Sequence, residues 1–168
     1  MACLRLFITA FLFLLLGDLI ATFGYHVPEH VFGKFHSIVH HSPKRSFVGY
    51  AIQHRQPLAL VDGFLSALPY LVLVPVLWQI SPGGVGVGLI LAEMHVIWRH
   101  HFLPTQPRPA WLSKLCQGLY ITTPERHWIH HQHPNRAFGD IFAFYGPPAE
   151  WWLKYLRSLK RRYREWAR

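Results

Sequence analysis

The sequence predicts an all-α integral membrane protein. It would have two or three transmembrane helices, or one helix plus a re-entrant hairpin, under a cytoplasmic, histidine-rich helical cap. Three observations predict this. Apolar runs make the 168 residues 51% hydrophobic. The formal net charge is nevertheless +9, a pairing that membrane helices with basic cytoplasmic flanks produce readily. Eleven of the thirteen histidines fall in short clusters at the ends of the apolar runs. The length suits a single domain over 1–168.

The first run, residues 4–23, is apolar except for Arg5, Thr9, Asp18 and Thr22, and its 20 residues match one membrane span. No small-x-small cleavage site precedes Tyr25, so the run reads as a retained helix rather than a signal peptide. Asp18 is then an intramembrane acid, costly and functional by default. Gly24 to Pro57 is polar, histidine-rich and basic, with Lys34, Lys44, Arg45 and Arg55. The second run, 58–80, is interrupted by Asp62, Pro69 and Pro75, and Ser81-Pro82-Gly83-Gly84 reads as a turn. The third run, 83–98, has only 16 residues, so it is either a short span or half of a hairpin.

Positive residues flank the end of the first run, the start of the second and the end of the third, and the Ser81–Gly84 turn has none. The positive-inside rule then places every histidine cluster on the cytoplasmic side. Leu103 to Arg108 is proline-rich and extended, and Trp111 to Ile121 suits a short interfacial helix. Thr123-Pro124-Glu125 is a helix start, with Thr as N-cap and Pro in the first turn, and Pro134 closes that helix. Residues 148–167 form a basic amphipathic helix, with Trp152, Leu156, Leu159, Tyr163 and Trp166 on one face and Lys154, Arg157, Lys160, Arg161 and Arg164 on the other. Such a helix is expected to lie on an anionic leaflet.

The clusters carry the chemistry. His127, His130 and His131 stand at i, i+3 and i+4 and share a helix face, as do His36 with His40 and His26 with His30; His41 lies one residue further. Pairs so spaced aim neutral imidazoles at one metal ion. A tetrahedral zinc site needs three or four ligands, so eight or nine histidines imply two ions. His95 reads as an inward-facing ligand, and His100 or His101 as a ligand or a headgroup contact. Asp18, Glu29, Glu93, His133 and Asn135 are candidates to orient those ligands, and His54 reads as surface or supporting. No catalytic group beyond the metal ligands is evident.

Other classes fit less well. Cys3 and Cys116 form no CxxC, which removes a zinc ribbon and a disulfide framework. No glutamate follows the first histidine as in an HExxH hydrolase, and haem would need two histidines rather than nine. The basic residues lack any nucleic-acid recognition motif, so no nucleic-acid partner is expected. A cysteine-free, histidine-rich membrane site is best explained by non-haem di-iron oxygen chemistry. The rival class is a membrane metal-binding or cation-transport protein that uses the histidines as a relay.

Tyr25-His26 through His30, Lys34-Phe35-His36 through His40-His41-Ser42, and Thr123-Pro124-Glu125-Arg126-His127 through His133-Pro134-Asn135 resemble the fatty acid hydroxylase superfamily, also called the sterol desaturase family. The resemblance extends from about Gly17 to Gly146. It implies an O2-dependent enzyme with two iron ions that hydroxylates or desaturates a membrane lipid (fatty acyl, sterol or related isoprenoid). It also implies electrons from a donor such as cytochrome b5 or ferredoxin. His26, His30, His36, His40, His41, His127, His130 and His131 would be iron ligands, and His95 and His100 would match the intervening histidines of the family.

Overall fold

The computed structural model describes residues 1–41, 47–102 and 108–168, and only the backbone at Ser37 and His101. Lys44, Arg45 and the proline-rich stretch from Leu103 to Pro107 lie outside the described residues. Among the described residues all regular structure is helical, apart from an isolated β-bridge between Ile121 and Phe142.

The first helix does not stop at Phe23. α1 (Ala2–Ile20) runs without a break through a π-helical stretch, Ala21–His26, into α2 (Val27–Phe32). The result is a rod of 31 residues. Its one proline, Pro28, comes directly after the π-helical stretch, where the Val27 N–H still bonds back to the Thr22 carbonyl. Gly33, with extended φ −72 and ψ 156, ends it. His26 and His30 therefore belong to the same rod as the apolar run, not to a following loop.

The second run bends. Leu58–Leu71 forms α4 and Val74–Trp78 forms α5, with α3 (Phe47–His54) before them. Pro75 opens α5, because proline supplies no N–H to continue the α4 ladder. The third run is longer than its apolar residues suggest: α6 covers Pro82–His101, and Ser81 caps it by accepting from the Gly84 N–H at 3.1 Å. The expected turn is thus the start of a helix. Two described helical segments are long and apolar enough to cross a membrane, Ala2–Phe32 and Leu58–Trp78. α6 is not among them, since four glycines, Glu93 and Arg99 dilute its apolar content.

α6 lies along α1 and runs in the same direction. Gly84 meets Leu6 and Thr9, Gly88 meets Phe13, and Ala92 shares a cluster with Leu14 and Leu15. A Cβ at Gly84 would stand 2.6 Å from Thr9 Cβ and 2.7 Å from the Leu6 carbonyl, so glycine is what permits the approach. α4 and α5 run the opposite way: Asp62 meets Tyr25, Tyr70 covers Gly17, and Leu77 packs on Phe13 and Val85. This up-down-up order brings the C-terminal ends of the rod and α6 to one end of the molecule.

α7 (Ala110–Gly118) and α8 (Pro124–Gln132) follow at that end. Thr123 caps α8, its Oγ1 accepting from the Arg126 N–H at 3.5 Å. The last helix, α9 (Gly146–Trp166), does not lie free on a leaflet along its length. Ala149, Leu153 and Leu156 bury against Val27, Val31 and Phe138, and Trp152 Nε1 donates to the Phe23 carbonyl at 3.0 Å. The apolar residues at i, i+4 and i+7 face the rod because that surface is the nearest apolar one. Leu159, Tyr163 and Trp166 remain exposed.

Candidate metal centre

Nine imidazoles converge at the shared end of the rod and α6. The nitrogens of His40, His100, His127 and His131 lie within 4.8 Å of one another. Three overlapping groups obey the same limit: His26, His30 and His130; His26, His36 and His40; and His30, His36 and His41. His40 belongs to both sides, with its ring 4.5 Å from His131 and 4.7 Å from His36, centroid to centroid. The arrangement therefore has two poles joined through His40.

Each element brings its histidines for a local reason. α8 projects His127, His130 and His131 from one face, as i, i+3, i+4 spacing requires. The rod supplies His26 at the end of its π-helical stretch and His30 one turn later. His36–His40 is a π-type turn rather than the α-helix expected from spacing. Such turns carry i→i+5 bonds and recur at functional sites.

Four of the nine rings have their protonation fixed by the protein. His130 Nδ1 donates to the Arg136 carbonyl at 2.8 Å, His100 Nδ1 to the Val96 carbonyl at 2.8 Å, and His41 Nδ1 to the His131 carbonyl at 3.3 Å. A carbonyl only accepts, so each Nδ1 carries the proton and each Nε2 presents a lone pair. His26 Nδ1 faces Asp140 Oδ1 at 3.3 Å and is fixed the same way. Yet His26 Nε2 and His130 Nε2 lie 3.0 Å apart. His127 Nε2 lies 3.0 Å from His100 Nε2 and 2.9 Å from His131 Nε2. At His26 and His130, whose Nδ1 atoms both carry the proton, lone pair faces lone pair, and the two repel unless a cation lies between them. His30 Nε2, His36 Nδ1 and Nε2, His40 Nε2 and His41 Nε2 are also buried with no hydrogen-bond partner. Buried polar nitrogens are costly when unsatisfied, and coordination to a metal would satisfy one nitrogen of each ring. The donor set fits a histidine-bound metal pair.

Electrostatics agree. Burial, then the neighbouring imidazoles, push His36 and His40 well below the ordinary histidine value. Burial also pushes down His127, with Arg99 next in effect, and His130, with His26 next. These rings are therefore neutral, the form that ligates.

Two groups that spacing alone did not single out hold the site in place. Asp140 Oδ1 accepts from Arg99 Nη1 at 2.7 Å while it faces His26. Burial would raise the Asp140 carboxyl, but Arg99 and then His26 outweigh it and hold it well below the usual carboxylate range. Asp140 has no histidine near it in sequence, and the only local signal is Gly139, whose φ of +99 makes the turn. Asp18 fixes that loop from the rod. Its Oδ1 accepts from the Asp140 N–H at 2.9 Å, and its Oδ2 from Ile141 and Phe142 at 3.0 and 2.6 Å. The bridge between Ile121 and Phe142 closes the other side, with Thr122 N–H donating to the Ile141 carbonyl at 2.7 Å.

Several expected residues stand elsewhere. His95 belongs to none of the close groups: its Nε2 donates to the Thr122 carbonyl at 2.8 Å, so it ties α6 to that bridge. It lies more than a helical turn before His100, and only the later residue reaches the cluster. Glu93 and His133 are exposed, and Asn135 is exposed and accepts from Arg157 Nη2 at 2.8 Å. Glu29 lies beside Asp62 and Gly33, away from the rings. His54 packs on Tyr50, with ring centroids 4.4 Å apart. The side chain of His101 lies outside the described residues.

The sequence model of the fatty acid hydroxylase family matches residues 10–147, which contain every histidine of the cluster. The chain belongs to the fatty acid hydroxylase family. No curated protein and no solved structure matches it. Membership makes it an oxidoreductase-type enzyme of a family that acts on lipids and typically depends on metal, and the nine imidazoles are groups able to bind that metal.

Proposed function

We propose that the protein is an O2-dependent, di-iron oxidoreductase that hydroxylates or desaturates a membrane lipid, whether fatty acyl, sterol or a related isoprenoid. One observation carries the reading: Nε2 lone pairs whose direction is set by Nδ1–H anchors converge in two groups joined at His40. One iron would be held by His40, His100, His127 and His131, and the other among His26, His30, His36, His41 and His130. When bound, iron supplies O2 activation and the removal of hydrogen from an unactivated C–H bond. Imidazole suits iron, zinc and copper alike, and the choice of iron rests on the family.

The remaining work falls to the protein. A cavity of about 310 Å3 runs between the rod and α4, with Ile20, Leu65, Leu68 and Val72 in its wall. It would hold the apolar chain of the substrate. Tyr25 also lines it, and its hydroxyl is fixed on Asp62 at 3.0 and 3.3 Å. The Tyr25 ring meets His36 edge-on at 5.7 Å between centroids, so one side chain separates groove from centre. That wall would position a carbon and keep water out. Hydroxylation consumes O2, two electrons and two protons and yields an alcohol and water. Desaturation uses the same reagents and yields an alkene and two waters. A donor such as cytochrome b5 or ferredoxin would deliver the electrons. The chain would cross the membrane more than once, with the centre on the cytoplasmic side.

His130→Ala and His131→Ala should each lose bound iron and all turnover. The assay is lipid profiling of cells with and without the protein, read for a gain of one oxygen or a loss of two hydrogens. Full activity in either variant would defeat the assignment, and metal binding with no O2-dependent product would favour a cation-handling protein instead.

A further inference from the structure

A second concentration of charge lies beside the metal centre, and its cations take no part in the roles above. Arg157, Lys160, Arg161 and Arg164 of α9 and Arg168 just beyond it, with His30 and Val31 of α2, line a cavity of about 510 Å3. Among the described residues Glu165 is the only acidic side chain in that wall. Successive cations along this face stand one, three or four residues apart, so like charges crowd together and repel. Among the described residues no salt bridge joins any of them to a carboxylate.

Two of the five are fastened by neutral groups, which aim them without cancelling their charge. Arg157 Nη2 donates to Asn135 Oδ1 at 2.8 Å. Lys160 Nζ donates to the Val31 carbonyl and lies over the Phe32 ring at 5.4 Å. The position also argues for a ligand. Trp152 meets Phe23 and Lys160 meets Val31, so α9 runs alongside the rod and in its direction. The charged half of α9 therefore extends past His26, away from the apolar run, and is more than a flank to a span.

We propose that this cavity binds a phosphate group, carried either by a phospholipid headgroup or by a soluble phosphorylated molecule. Four guanidinium forks and one ammonium match an oxyanion with several acceptor oxygens, which forks grip in pairs. The volume exceeds that of a lone phosphate and leaves room for what bears it.

The test uses the full-length protein in neutral maltoside micelles, with thermal unfolding and calorimetry as readouts. One arm adds inorganic pyrophosphate, with sodium chloride at matched ionic strength as the control. The other dopes the micelles with phosphatidic acid, or with diacylglycerol as the phosphate-free control. The variants are Arg161→Gln with Arg164→Gln, and Lys154→Gln as a cation outside the cavity. Saturable pyrophosphate binding that weakens about tenfold or more only in the arginine variant supports a site for a soluble phosphate. The same dependence seen only with phosphatidic acid supports a headgroup site. Equal responses in all three proteins, or an effect that sodium chloride or diacylglycerol reproduces, overturn the proposal. The variants lie on an exposed helix face, and unchanged helical circular dichroism certifies their fold.

Discussion

Asp140 shows how much of the centre depends on one buried carboxylate. It balances Arg99, faces His26 Nδ1, and so sets which nitrogen of His26 faces the other rings. Asp140→Asn removes the charge and leaves Arg99 buried without its counter-ion. Groups that orient a ligand in this way typically change metal affinity about 10–100-fold, and a loss of that size is expected here in metal bound per chain. The clustered histidines were legible because their spacing is a local signal. Asp140 and Arg99 were not, because they meet His26 only through the fold. The acids that sequence proximity favoured, Glu29 and Glu93, sit near histidines along the chain and away from them in space. A pH effect belongs at this scale as well. His36, His40, His127 and His130 are held well below the ordinary value of 6.5 in the folded state. The unfolded chain therefore binds more protons once pH drops below about 6.5, and stability present above that value is lost as pH falls. Thermal unfolding of the metal-free protein between pH 8 and 5 should show a falling midpoint. A midpoint that rises toward pH 5 would contradict the burial of these rings.

At the scale of elements, the contact between α1 and α6 is set by small residues. Gly84→Val would drive a branched side chain into Thr9 and the Leu6 backbone. Overpacking of this kind costs about 1–3 kcal/mol and should lower the unfolding midpoint in detergent; an unchanged midpoint would mean that the helices part without cost. Gly86 has open space around it, so Gly86→Val is the matched control. Hydropathy found the apolar runs but not their ends. It stopped the first helix where apolar residues stop, whereas hydrogen bonding carries the rod on to Phe32. It also gave α9 a membrane-facing role along its length, because a periodic apolar face does not say whether lipid or protein covers it. Leu153 and Leu156 found the rod first.

At the scale of the whole molecule, the histidines come from the rod, the turn at His36–His40, α6 and α8, so metal held among them would be a cross-link between elements distant in sequence. A ligand bound only by the folded state stabilises it in proportion to the logarithm of its free concentration. Chelation should therefore lower the unfolding midpoint, and adding Fe(II) back under anaerobic conditions should restore it. A midpoint indifferent to chelator would mean that the rings are held together without metal. The up-down-up order was legible in outline, since three apolar segments that reverse direction twice bring the ends of the first and third together. The parallel course of α1 and α6 was not, because glycine positions reveal contact only when the partner is known.

The unbroken course from Ala2 to Phe32 makes the rod a lever. A stiff helix longer than the hydrocarbon layer adapts to a thinner bilayer by leaning. Leaning swings its far end, where His26 and His30 sit, against rings anchored on α8. With the rod in a bilayer and metal on its rings, bilayer thickness would be a mechanical input to coordination geometry, and the same polypeptide would be tuned differently in thick and thin membranes.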